Sequence, residues 1–116
     1  MEKMNPEVKT AWVQALRSGE YQQTSGSLRA TSGSRASYCC LGVLCDISGL
    51  GKWGSSDYYA IGLHFALGIL PEEVAEWAGF SSSDPATGED DWTRLSYQND
   101  SGLSFADIAD LIEENF

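Results

Sequence analysis

Six polar side chains, Arg17, Ser18, Tyr21, Gln22, Arg29 and Arg35, are concentrated in one stretch of the chain. Their types suit the capture of an anion. Guanidinium forks match phosphate oxygens bidentately, and a tyrosine ring can stack on a base or ribose. The glycines and serines between them let backbone amides approach a negative group closely. Together they would hold a nucleotide-sized anionic ligand, with no cofactor and no metal. The competing role is an ordinary one: arginines that solvate a loop or pair with carboxylates elsewhere in the chain.

The cysteines offer a second chemistry. Cys39, Cys40 and Cys45 all lie in the run Ser37 to Ile47, the longest nearly unbroken apolar stretch. A structural zinc site needs four ligands. Here there are three thiols and His64, two of the thiols are adjacent, and there is no Cys-x-x-Cys pair. Cys40, near the start of a helix and in a Cys-x-Gly context, is faintly similar to the nucleophile of papain-like cysteine hydrolases, because a helix N-terminus lowers a thiol pKa. Its base would have to be His64, and the spacing supplies no third, orienting residue. Buried thiols packed as small hydrophobes are the plainer reading, and an odd number of them agrees with an intracellular protein.

Charge narrows the partner classes. The net charge is −10, unevenly divided: residues 1–53 carry six Lys/Arg against four acids (+2), whereas residues 54–116 carry Arg94 against thirteen acids (−12). Such an anionic half disfavours nonspecific duplex binding, which depends on neutralising phosphates. It would equally favour docking on a basic protein surface, or simply keep a small protein soluble. No apolar run approaches the ~18 residues of a membrane span, so no membrane partner is expected and a cytoplasmic location is. The 42% hydrophobic content and four tryptophans indicate a folded globule, and 116 residues suit one domain with one core.

The elements that would position these groups follow from periodicity and punctuation. Asn5-Pro6-Glu7 is a helix start, and Val8, Trp12, Ala15 and Leu16 mark one face of a helix over 6–18 that Gly19 is placed to end. Residues 20–36, rich in Gly, Ser and Thr, fit a short hairpin or ordered loop. Cys40, Val43, Leu44 and Ile47 form one helical stripe, with Leu41 and Cys45 beside it. That predicts a central buried helix over 38–48, with Ser37 as N-cap and Gly49 or Gly51 at its end. Residues 49–57 read as loop, and 58–70 are open between strand and helix. Pro71-Glu72-Glu73 starts a short helix closed by Gly79, with Leu70, Val74, Trp77 and Ala78 on one face. Residues 81–91 are an acidic loop, and Asn99-Asp100-Ser101-Gly102 reads as a turn. Ser104 to Asp107 resembles a capping box before a helix with Phe105, Ile108, Ala109, Ile112 and Phe116 inward. Trp53 and Trp92, in polar company, are the expected surface aromatics. The expectation is a single α+β domain over 1–116, mainly helical, with about four helices and a small antiparallel β element.

Several of these segments carry a resemblance. Ala15-Leu16-Arg17-Ser18-Gly19-Glu20-Tyr21, Leu28-Arg29, Tyr38-Cys39-Cys40-Leu41-Gly42-Val43-Leu44-Cys45-Asp46 and Leu70-Pro71 with Val74 and Trp77-Ala78-Gly79 are joined by Asn99-Asp100-Ser101-Gly102, Ser104-Phe105, Ile108-Ala109-Asp110 and Ile112-Glu113. Over nearly the whole chain they resemble a family of small phage and prophage proteins. Tyr97-Gln98 departs from that pattern, where an apolar residue is expected before Asn-Asp. The resemblance implies an origin rather than a mechanism: small phage accessory proteins commonly block or redirect host machinery, an association of gene company. On this basis the leading expectation is a host-defence antagonist that sequesters a nucleotide immune signal without turning it over. It would do so as a symmetric homo-oligomer enclosing the ligand, in the host cytoplasm. The alternatives are an acidic inhibitor covering a basic groove on a host defence protein, and a cysteine hydrolase built on Cys40.

Overall fold

The computed structural model describes residues 3–116. Its centre is the predicted apolar helix, α2 (Cys40–Ser48), in which Cys40, Leu41, Val43, Leu44 and Cys45 are all fully buried. Nine residues are fewer than the ~12–15 that an isolated helix needs for stability in water. Burial must therefore hold it, at roughly 1.5–3 kcal/mol for each large aliphatic side chain removed from water. Helix α1 (Pro6–Arg17) lies against α2 and anchors it through Trp12, whose indole N–H donates to the Cys40 carbonyl at 2.9 Å. Helix α5 (Phe105–Asn115) packs along α1. Two shorter helices, α3 (Glu72–Ala78) and α4 (Leu95–Asp100), close the remaining sides of α2.

Two three-stranded sheets flank the helices. In the first, β2 (Arg29–Ser32) and β3 (Arg35–Tyr38) form an antiparallel hairpin around Gly33-Ser34, and β1 (Gln22–Gln23) pairs with β3. The β1–β3 pairing is parallel, which an all-antiparallel expectation misses. The second sheet has β5 (Tyr59–Ile61) between β4 (Lys52–Trp53) and β6 (His64–Ala66), both antiparallel to it. Leu28 joins the two: its N–H donates to the Leu67 carbonyl and its carbonyl accepts from Cys39 N–H, while its side chain is fully buried.

The cap and period signals read well. Asn5 accepts from Glu7 N–H, Gly49 ends α2 in the left-handed conformation (φ 64°), and Ser104 and Asp107 form the reciprocal capping box. Phe105, Ile108, Ala109, Ile112 and Phe116 all point into the core. Three readings need correction, and the one left open is resolved. The N-cap of α2 is Cys39, whose sulfur accepts from Gly42 N–H, because Ser37 is committed to strand β3. The undecided stretch 58–70 is a hairpin turning at Gly62-Leu63, and Lys52–Trp53 is a strand rather than loop. Asn99 and Asp100 end a fifth helix, not a free turn. That helix starts without a cap of its own: Asp84, from the preceding loop, accepts from the N–H and hydroxyl of Ser96. One core unites all the helices and both sheets, and the radius of gyration of 12.9 Å is that of one domain, about 13 Å for ~100 residues.

Candidate functional site

The six anion-binding candidates do not converge. Arg17, at the end of α1, donates to Asp110 at 2.6 Å and Glu113 at 2.7 Å, both on α5. These bonds raise its pKa further, so it is a cation already neutralised. Ser18 closes its own helix end, donating to the Ala15 carbonyl and accepting from Glu20 N–H. Arg29 is held against Asp57 at 2.8 Å, donates to the Gly54 carbonyl and lies 4.9 Å over the Trp53 ring. Hydrogen bonds from Thr31, with that of Arg29, keep the Asp57 carboxyl below its usual range. Arg35 and Gln22 are exposed on their strands. Tyr21 donates to Asp46 at 2.6 Å, and burial with that bond pushes its hydroxyl pKa well up, so it stays neutral.

Tyr21 and Arg29 do share a neighbourhood, organised by aromatic residues of which the sequence had not singled out Tyr38 and Tyr59. Tyr21, Tyr38, Trp53 and Tyr59 meet edge to face in series, with centroids 5.1, 5.7 and 4.8 Å apart. Trp53 donates to Asp46 of α2 at 3.0 Å and meets Tyr38 of the other sheet, so this tryptophan is a half-buried tie rather than a surface aromatic. Asp46 and Asp57 complete the set. Within it the carboxylates hold Tyr21, Trp53 and Arg29, and the Tyr59 hydroxyl is taken up outside it by Ser48 and the Gly51 N–H, which is how a structural joint is built; a phosphate would have to displace carboxylates to reach Arg29.

The cysteines are packing. Cys40 is fully buried, and loss of hydration drives its thiol pKa well above normal in spite of the helix N-terminus. Burial also pushes Cys39 up to about 11 and Cys45 higher still. His64 stands on strand β6 with its ring exposed and paired to Glu73 at 2.6 Å, so it has no access to the buried thiol. Among the described residues no group of three or more His, Cys, Asp or Glu is arranged to hold a metal ion.

Asn99 and Gln23 matter more than the sequence indicated. Asn99 is buried; its carbonyl oxygen accepts from Gln23 and from Cys40 N–H at the start of α2, and its amide donates to the Thr24 carbonyl. Gln23 in turn accepts from Phe105 N–H at the start of α5. The pair thus caps two helices at once. A turn signal accounts for Asn-Asp-Ser-Gly so cheaply that nothing in the sequence marks Asn99 as buried.

Arg35 and Lys52 also have no ion-pair partner among the described residues, but most of the unneutralised charge lies in the acidic half. Its single cation, Arg94, reaches Asp91 at 3.2 Å on the surface. Among the described residues Glu89, Asp90, Asp100 and Glu114 have no ion-pair partner. Within this surface stand two exposed aromatics, Trp92 (60%) and Tyr97 (54%). They flank a groove of about 310 Å³ that also involves Gln98, Ser101, Leu103 and Leu111, and its lining is almost wholly apolar. Tyr97 and Ser101 also line a neighbouring cleft that bears Asp91, Arg94 and Asp100. A second apolar strip, Leu63, Phe65, Leu67 and Ile69, lies exposed along β6 and on either side of it.

No curated protein and no solved structure matches the chain. A family model does, over residues 4–116, and that span takes in the central helix, the Asn99 hub and the acidic groove alike. The chain therefore belongs to the DUF8296 family, a domain of unknown function.

Proposed function

We propose that this protein is a non-catalytic binder of basic protein surfaces, working through its acidic half. The observation that carries the reading is where the charges end up. Arg17 and Arg29, the cations best suited to phosphate, are consumed by Asp110, Glu113 and Asp57, while Glu89, Asp90 and Asp100 stay unpaired beside exposed Trp92 and Tyr97. Unpaired surface carboxylates steer a cationic partner, and exposed aromatics at the centre of such a field are the residues that carry interface energy. The resemblance to phage proteins points to a host defence protein as the target and to inhibition by occlusion as the mode of action.

The test is affinity capture from a bacterial lysate with the wild-type chain, a Glu89→Ala/Asp90→Ala/Asp91→Ala variant and an Arg17→Ala/Arg29→Ala variant. The expected result is a specific partner retained by the wild type and the arginine variant, released by salt and lost by the acidic variant. Capture that depends on the arginines, or heat of binding to a nucleotide panel that vanishes with them, would return the reading to nucleotide sequestration.

A further inference from the structure

The strip along β6 is apolar surface that the core of its own chain does not use. Leu63 is 89% exposed, Phe65 64%, Leu67 58% and Ile69 46%. All four line one groove of about 610 Å³ that runs on to Pro71 and the start of α3. Leu63 is the least expected of them. It follows Gly62 (φ 59°) in the two-residue turn of the β5–β6 hairpin, where a polar residue usually meets water. The strip is also set apart by charge. Residues 58–71 hold no Asp, Glu, Lys or Arg, in a chain whose net charge is −10. The carboxylates at the end of the groove are Glu72 and Glu73, the second of them paired to His64 at 2.6 Å.

We propose that this groove is the contact surface of a homodimer, in which each copy inserts Leu63 into the groove of the other. A second copy is the occupant for three reasons. The first is shape: the protruding turn residue and the groove that receives it stand on one patch, which is what a two-fold, isologous interface requires. With the strips antiparallel across such an axis, Leu63 of one copy meets Ile69 of the other and Phe65 meets Leu67, so each side chain gains an apolar neighbour. The second is area. The four side chains expose on the order of 500 Å², as much as the largest apolar patch of an ordinary monomer. Two copies would bury about 1,000 Å² between them, the size at which a specific interface begins. The third is charge: two molecules of −10 repel, and they approach at least cost where the surface is uncharged. A basic protein would gain nothing there that the acidic face does not offer better. The contact is between side chains rather than strand edges, because the Leu67 carbonyl already accepts from Leu28 N–H. The strip shares no residue with the groove of Trp92, so a dimer would carry the acidic face in duplicate.

The test is sedimentation equilibrium of the full chain from about 1 μM to about 1 mM, as wild type, Leu63→Asn, Leu67→Ser and Trp92→Ala. The expected result is a mass that rises with concentration from 12.6 kDa towards twice that value. Dimerisation should be at least about tenfold weaker in Leu63→Asn and in Leu67→Ser, since a two-fold interface loses each side chain twice. Far-UV circular dichroism of both should match the wild type, because the two leucines are exposed and asparagine suits a turn. Trp92→Ala, at a comparably exposed position outside the strip, should dimerise as the wild type does. Added salt should tighten the dimer by screening the repulsion between its anionic copies, the opposite of its effect on capture of a basic partner. A chain that stays monomeric at every concentration would overturn the proposal. So would a dimer unweakened in either leucine variant, lost in Trp92→Ala, or dissociated by salt. Because no partner protein is present, the dimer is decided separately from whether a basic partner is captured.

Discussion

Single side chains in this molecule are governed by what burial does to their polar atoms. Cys39, with its thiol pKa pushed up to about 11, stays protonated where an exposed thiol would ionise, and Cys40 and Cys45 are shifted the same way. A thiol-specific disulfide reagent at pH 8 should therefore label none of them in the native state and all three in denaturant; one fast-reacting thiol would revive the hydrolase reading. Linkage has a definite sign here. Between the ordinary thiol pKa near 9 and about 11 the unfolded chain releases the Cys39 proton while the folded one keeps it, so stability must fall as pH rises through that window. Gln98 carries the opposite kind of burden, an unmet acceptor: its buried carbonyl oxygen has no hydrogen-bond partner. Gln98→Leu should raise thermal stability by about 1 kcal/mol, which for a domain of this size is a midpoint several degrees higher. A lower midpoint would mean that its amide is better satisfied than the geometry indicates. The sequence marked this position only obliquely, through the departure at Tyr97-Gln98 from the resembled pattern, where an apolar residue is expected before Asn-Asp.

At the level of elements, local signals were readable wherever the residue doing the work is adjacent in the chain. The Asn5 cap, the Ser104–Asp107 box and the stripes of α1, α2 and α5 are all short-range features, and each stands where spacing put it. Elements defined by distant partners were not readable. Helix α4 starts on Asp84 and ends on Asn99, whose partners lie at Gln23, Thr24 and Cys40, and no local period announces such a helix. The same logic applies to Gly42. A Cβ there would fall inside contact distance of the Leu28 carbonyl, the group that also accepts from Cys39 N–H. Gly42→Ala should gain about 1 kcal/mol of helix propensity but force the Leu28 backbone away from α2 at a cost of at least ~3 kcal/mol. Net destabilisation by roughly 2 kcal/mol or more in urea unfolding is expected. A stabilised variant would show that Leu28 and α2 are not in such close apposition.

Across the whole molecule the decisive property is the partition of charge. The sequence showed the imbalance between halves, but not that α1 and α5 would lie side by side and neutralise Arg17, nor that the sheets would lock Arg29 onto Asp57. Those two pairings turn an apparent phosphate grip into internal cross-links and leave most of the unspent surface charge on the acidic face. The candidate residues were legible as types; their partners, nearly a hundred residues away for Arg17, were not. The most direct measurement is the affinity for the captured partner, followed by calorimetry from low to near-physiological ionic strength, for the wild-type chain and both sets of alanine variants. At least about a tenfold loss of affinity is expected across that range, with a further loss when Glu89, Asp90 and Asp91 are removed and no change for Arg17→Ala/Arg29→Ala. An affinity indifferent to salt, or abolished by the arginine variant alone, would contradict the proposed function.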